Sequence, residues 1–239
     1  MIRCYVFRVN THDRLPPDRA YPFYGSLLSL LPADYGEAVH RQGETPVTQH
    51  LYEEDGETLW RVHLLDYTKD DAVSAVLDNL RALPLHTGAL GVTLRESAIV
   101  TADDLAQAAL EIGPQRYYSF RFLSPTAFRQ AGRYVVLPDK ELILQSLFNK
   151  WNAAFPSCPL EDKDVLRMLG EGIHISDYRL RTTRFSIKDT KIPGFTGELT
   201  MDIRLPAPVM RIWNLLAAFL EYSGVGIKTA LGMGGVKRA

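Results

Sequence analysis

The chain has 239 residues, of which 46% are apolar and 23% charged, and a net charge of -1. That composition can bury one large core or two small ones and excludes a disordered chain, and the near-neutral balance argues against a protein that is basic over its whole surface. The longest apolar run, Leu215 to Leu220, falls far short of the roughly 20 residues of a membrane span, and Met1 to Asn10 lacks a charged start followed by an apolar middle, so a cytoplasmic protein with no membrane partner is expected.

Ile2 to Val9 is rich in branched and aromatic residues and predicts a strand. Tyr21 to Leu31 and Ala33 to Gln42 predict helix, and Val47 to Tyr52 and Thr58 to Leu65 predict two strands joined by an acidic turn at Asp55 and Gly56. Asp70 to Leu83 spaces Val73, Val76 and Leu80 as one helical face, and a weaker strand follows near Leu90 to Ser97. The second half repeats this order. Tyr117 to Leu123 alternates as a strand, and Asp139 to Trp151 puts Ile143, Leu144, Leu147, Phe148 and Trp151 on one helical face after Pro138. Strands are expected at Ile175 to Phe185 and Phe195 to Leu205, then a helix carrying Val209, Ile212, Trp213, Leu216, Phe219 and Leu220 that ends at Gly224, then a short strand at Met233 to Lys237. The fold class is therefore α+β, a tandem of two ferredoxin-like, RRM-like units of order β-α-β-β-α-β, residues 1–112 and 113–239. Their sequences share no visible repeat.

Charge is unevenly placed. Asp177 to Lys191 carries five basic residues, Arg179, Arg181, Arg184, Lys188 and Lys191, against Asp177 and Asp189, whereas Glu53, Glu54, Asp55 and Glu57 gather acid elsewhere. A neutral protein can thus present one basic face. Cys4 and Cys158 lie in unrelated contexts with no CxxC, which suggests two reduced, mostly buried thiols.

The segment GVGIKTALGMGG, Gly224 to Gly235, holds five glycines and one lysine. It is neither a Walker A loop, because Lys228 and Thr229 follow a helix and precede a strand, nor a dinucleotide fingerprint, because Thr229 stands where the third glycine belongs. Gly224 alone reads as a helix cap. Gly224, Gly226, Gly232 and Gly234 with Lys228 and Thr229 would bare a backbone to an anionic chain such as RNA.

This segment resembles the C-terminal glycine-rich motif of the CRISPR-associated endoribonucleases that cut repeat precursor RNA into guide RNAs, the sixth Cas protein family of the RAMP superfamily. FLSPTAF at Phe122 to Phe128, LPDKELILQSLFNKWN at Leu137 to Asn152 and IPGFTGELTMDI at Ile192 to Ile203 fall in the order of that family. The resemblance implies paired ferredoxin-like domains and cleavage without a metal or other cofactor, by attack of a 2'-hydroxyl on the adjacent phosphate, leaving a 2',3'-cyclic phosphate and a 5'-hydroxyl. CRISPR repeat RNA would be the partner of a monomer or homodimer. The alternative on the same fold is a non-catalytic RNA-binding subunit of a CRISPR effector complex.

Such a reaction needs a base, an acid and positive charge beside the phosphorane. Of the six histidines, at 12, 40, 50, 63, 86 and 174, the resemblance selects His40, near the end of the second helical segment. Arg41 would supply charge, and Tyr24 or Tyr21 would enter from the first helix. Some members add a lysine shortly after the histidine; none stands between His40 and Tyr52. His50 is second choice, with a solvent-facing place on a strand as its simpler explanation, and His63 reads as the polar face of a strand. RNA contacts are expected from Arg179, Arg181, Arg184, Lys188 and Lys191, and from Arg129 and Arg133.

Overall fold

A computed structural model describes residues 1–32, 46–65 and 71–239. The first unit contains β1 (Ile2–Val9), α1 (Ala20–Ser29), β2 (Val47–Glu54), β3 (Glu57–Leu64), α2 (Asp71–Asn79), β4 (Ala82–Leu85) and β5 (Gly88–Val100). Helix α3 (Ala102–Ile112) leads to the second unit: β6 (Tyr117–Thr126), the small hairpin β7 (Phe128–Gln130) and β8 (Arg133–Val135), α4 (Lys140–Ala154), α5 (Lys163–Gly172), β9 (Ile173–Ile187), β10 (Thr190–Ile203), α6 (Ala207–Ser223) and β11 (Val236–Arg238). The sheets run β2-β3-β1-β5-β4 and β11-β6-β10-β9, antiparallel throughout. Both place the first strand of the unit between its third and its last, the order of a ferredoxin-like fold, and the first unit adds β4 as an extra edge.

Strand alternation builds each core. β1 buries Tyr5, Phe7 and Val9 beside Val62 and Trp60 of β3, with Tyr5 paired to Val62 and Phe7 to Trp60. The indole N–H of Trp60 donates to Gln49 Oε1 at 2.7 Å, and Gln49 Nε2 donates to the Ala20 carbonyl at 2.8 Å, so the one polar atom of that ring is satisfied and α1 is tied to β2. In the second unit Tyr118, Phe120 and Phe122 of β6 and Leu199 and Met201 of β10 meet Trp213, Leu216 and Phe219 of α6. Trp213 meets Tyr118 edge-on at 5.7 Å. Each fully buried aliphatic or aromatic side chain contributes about 1.5–3 kcal/mol, so these layers dominate stability.

Among the described residues the expected strands and helices are present with shifted ends, and the helix expected at Ala33 to Gln42 lies outside them. Asp70 to Leu83 does not run as one helix: α2 stops at Asn79, and Ala82 to Leu85, containing Pro84, which cannot extend a helix, forms β4 instead. The final strand begins at Val236, because Met233 to Gly235 are spent in the loop before it. Two helices were not anticipated. α3 is closed by a capping box in which Thr101 accepts from the Asp104 amide and the Asp104 carboxylate accepts from the Thr101 amide; α5 is capped by Asp162, which accepts from Asp164 and Val165. Of the two cysteines, Cys4 is half-buried, its thiol pushed up to about 12 by desolvation, whereas Cys158 is exposed rather than buried.

α3 packs along α6. Asn214 of α6, fully buried, donates to the carbonyls of Ala109 at 3.1 Å and Gly113 at 2.8 Å while its Oδ1 accepts from the Tyr118 hydroxyl. Replacing Asn214 by Ala removes the partner of the Ala109 and Gly113 carbonyls and of the Tyr118 hydroxyl and should cost about 2–4 kcal/mol, lowering the midpoint in differential scanning calorimetry by roughly 5–12 °C; an unshifted midpoint would show that these bonds do not hold α3 in place.

Candidate nucleic-acid interface

The glycine segment lies between the two units. Gly224 ends α6 with φ of +60°, its N–H bonded to the Leu220 carbonyl at 3.0 Å. The chain then turns back on itself: Val225 N–H donates to the Gly234 carbonyl at 2.9 Å, Ile227 N–H to Ala127 at 3.0 Å, Gly234 N–H to Pro125 at 3.0 Å, and Gly226 N–H to Ser146 Oγ at 2.9 Å. Gly232 N–H likewise donates to the Thr229 carbonyl at 3.4 Å, so the expectation of backbone donors turned outward is not met at Gly224, Gly226, Gly232 and Gly234. Their amides bond to the protein's own acceptors. At Gly234, where φ is +72°, a Cβ would collide with the Val225 carbonyl. Gly232 presses on Ala20 of α1 and Gly235 on the His50 ring of β2, which brings the segment against the first unit. Thr229 sits half-buried beside Gly224 and Gly234.

Lys228 stands apart from this packing. It is exposed, with φ of +56°, at the start of a short 3-10 turn over Thr229–Leu231. Its neighbour Ile227 joins a small apolar cluster of Phe185 and Ile187 from β9, Ile192 from β10, Met233 and Tyr21 of α1. Three distant parts of the sequence, the start of α1, the β9–β10 hairpin and the glycine segment, are thereby held together.

That hairpin carries the basic stretch. Arg179 pairs with Glu198 and Arg181 with Thr196 across the ladder, so both arginines share one face, and Arg181 Nε donates to Thr196 Oγ1 at 3.2 Å. Arg184 has the opposite parity, Lys188 occupies the turn with φ of +50°, and Lys191 is the second residue of the return strand. Arg129 and Arg133 project from β7 and β8, and β8 lies against β10. All of these side chains are exposed. Among the described residues none of them forms an ion pair, whereas Arg3, Arg95, Arg116 and Arg204 are engaged by Asp78, Glu57 and Asp202. Unspent positive charge on one hairpin is what a phosphate backbone requires.

His40 and Arg41 lie outside the described residues. Tyr24 is buried in the first unit's core beside Phe23 and Leu27, because the face of α1 that carries it packs on the sheet; its side chain does not stand in the open at the helix start, as the sequence suggested. His50 and His63 are buried, not solvent-facing, because the second unit covers that face of β2 and β3. His63 Nδ1–H donates to the Tyr222 carbonyl at 2.8 Å, and Thr48 Oγ1 donates to the same carbonyl at 2.6 Å. Desolvation, with Arg61 nearby, pushes His63 down to about 3 and holds His50 well below the usual imidazole range. Lys150 was not singled out from the sequence. It ends α6 by donating to the carbonyls of Ser223 at 3.0 Å and Gly224 at 3.1 Å, and burial pushes its ammonium down to about 7. A lysine between Phe148 and Trp151 on an otherwise apolar face was the available signal. Among the described residues no group of three His, Cys, Asp or Glu side chains stands ready to hold a metal ion, and no helix is long and apolar enough to cross a membrane.

The buried imidazoles set a pH dependence. Unfolded histidine takes a proton near 6.5 and these do so only far lower, so stability is fully present above pH 6.5 and is lost as pH falls. Guanidinium titrations between pH 7 and 5 should show a loss of up to about 1.4 kcal/mol per pH unit for each of the two, and a His63→Phe variant a shallower slope. A flat profile in the parent protein would contradict the burial of these rings.

Comparison with known proteins places these features. A family model described as CRISPR-associated endoribonuclease Cas6 matches residues 120–236. The chain is 34% identical over 233 residues to a CRISPR-associated endoribonuclease Cas6 of Streptococcus thermophilus, covering 97% of this chain and 96% of that one. It is 30% identical over 227 residues to a Mycobacterium tuberculosis protein of the same name, covering 90% and 69%. Among solved structures, a Cas6 product complex superposes with a TM-score of 0.79 at 25% identity over the full length of both chains, and Thermus thermophilus Cas6 with a TM-score of 0.73 at 25% identity, covering 100% and 97%. With its two ferredoxin-like sheets joined by the glycine segment, the chain belongs to the Cas6 family of CRISPR-associated endoribonucleases.

Proposed function

We propose that this protein cuts CRISPR repeat precursor RNA into guide RNAs without a metal ion. The 2'-hydroxyl attacks the adjacent phosphate, leaving a 2',3'-cyclic phosphate and a 5'-hydroxyl. The likeness to the Streptococcus thermophilus endoribonuclease over 97% of the chain carries this proposal. The unpaired cations on the β9–β10 hairpin add physical support.

In this scheme His40 moves the proton, as base toward the 2'-hydroxyl or as acid toward the departing 5'-oxygen, since an imidazole titrating near neutrality suits either task. Arg41 stabilises the charge that develops on the phosphorane. Tyr24, enclosed in the core, is assigned no proton-transfer step. Arg179, Arg181, Arg184, Lys188, Lys191 and Lys228 track the phosphates, with Arg129 and Arg133 at the margin. The glycines act indirectly, by holding Lys228 beside the hairpin. Residues 1–112 and 113–239 remain the two units of the scheme, joined by α3.

Labelled repeat RNA incubated with the protein in excess EDTA should be cut once, and a 2'-deoxy substitution at the cut site should abolish the cut. His40→Ala should lower the cleavage rate roughly 100- to 10,000-fold and leave RNA binding unchanged. Cleavage that requires an added divalent cation would refute the proposed chemistry, and tight binding with no cut by the parent protein would favour an RNA-holding subunit.

Salt gives a second test. If about five of these side chains neutralise phosphates, the logarithm of the association constant should fall against the logarithm of salt concentration with a slope of roughly -4. A slope near zero would remove the hairpin from the interface.

A further inference from the structure

A cavity of about 230 Å³ opens beside β9, between that strand and the segment that runs from β8 into α4. Its wall is apolar: Val136, Leu137 and Pro138 from the connecting segment, and Leu180 and Phe195 from the sheet. Tyr178 and Leu137 stand at its mouth with 64% and 70% of their surfaces exposed, among the most exposed large apolar side chains of the described residues. Arg181 also lines it, its guanidinium steadied by the bond from Nε to Thr196 Oγ1.

Two observations indicate what occupies it. The volume lies below the roughly 300–1,000 Å³ of pockets for drug-sized ligands and suits one flat ring system. The surroundings are rich in cations without an ion pair among the described residues: Arg179, Arg181 and Arg184 continue along β9, with Glu198 of β10 opposite Arg179, and Arg133 lies three residues before Val136. The one acid of β9, Asp177, has its carboxylate turned back to accept the Tyr178 amide at 2.8 Å. An exposed tyrosine ring beside an arginine, on a strand that offers charge to phosphates, is the chemistry that takes up an unstacked base of a single strand.

We propose that the Tyr178, Leu137 and Arg181 cavity receives one unpaired nucleobase of the bound RNA, stacked on the Tyr178 ring, while the arginines of β9 hold the phosphates on either side. It rests on the RNA-cleaving function above and adds to it a position at which the protein senses whether the RNA is unpaired. A base in a duplex must first be unstacked and unpaired to enter, a cost that an unpaired base does not bear.

The test uses the full chain and the host's repeat RNA, with affinity read by fluorescence anisotropy. Tyr178→Ala should weaken binding about tenfold, Tyr178→Phe should retain it, and the melting temperature of both should match the parent because the side chain is exposed. Replacing each unpaired nucleotide in turn by an abasic ribose should reveal one position at which the parent protein loses the same factor and Tyr178→Ala loses nothing further. Equal affinity of parent and Tyr178→Ala overturns the proposal while leaving RNA cleavage intact. A loss in Tyr178→Ala with no matching abasic position also overturns it, and assigns the cavity to a protein side chain. A parent protein with no affinity for the RNA overturns both this proposal and the function it rests on.

Discussion

The contact on which the architecture turns is the passage of a backbone without side chains between the two sheets. Gly232 lies on Ala20, Gly235 on the His50 ring, and the Gly224–Val225 and Gly234 strands of the loop bond directly to each other. Each approach is shorter than a Cβ permits. Gly235 over His50, together with Tyr222 of α6 over His63, excludes water from that side of β2 and β3, and the exclusion keeps both imidazoles neutral in the folded state. The same fold-back leaves Lys228 as the residue that projects.

Charge follows a division of labour that net composition hides. The acids of the two units are used at home: Asp78 holds Arg3, Glu57 holds Arg95 and Asp202 holds both Arg116 and Arg204. Asp202, gripped by two guanidiniums, is pushed down to about 2. The hairpin keeps its cations uncommitted. A chain with a net charge of -1 can therefore meet a polyanion with one local surface and stay otherwise neutral.

Much of this was legible in residue patterns. Branched and aromatic residues give β1 to the residue, β2, β3 and β6 stand where strands are expected with ends one to three residues away, and the apolar face of α6 gives its end at Gly224. The elements that residue patterns do not announce are short or carry a competing signal. β4 reads as part of the helix before it because Leu80 and Leu83 continue a helical spacing, although Pro84 marks the break. α3 and α5 are short, and only Thr101 with Asp104, and Asp162, mark their starts in the sequence. The site was harder to read. Sequence separates histidines by local pattern only, and the burial of His50 and His63 arises from partners far along the chain, Gly235 against His50 and Tyr222 of α6 against His63, which no local pattern records. The basic hairpin was found because its charges are neighbours in sequence. The glycine run was found as well, but its purpose was inverted: the space freed by its missing side chains is filled by the protein itself.

The β9–β10 ladder runs from the Ile173–Ile203 pair out to Ile187–Thr190, but β6 leaves β10 after the Phe195–Thr126 pair, so the outer third of the hairpin has no sheet beneath it. Side chains alternate along that overhang, Phe185 turned to the apolar cluster and Arg184 away from it. Length in this region is therefore quantised. Inserting or deleting one residue in each strand would exchange the anchoring face for the cationic one, whereas a change of two in each preserves both. Relatives adapted to RNAs of different shape would then differ here in steps of four residues, with the anchor at the base unchanged.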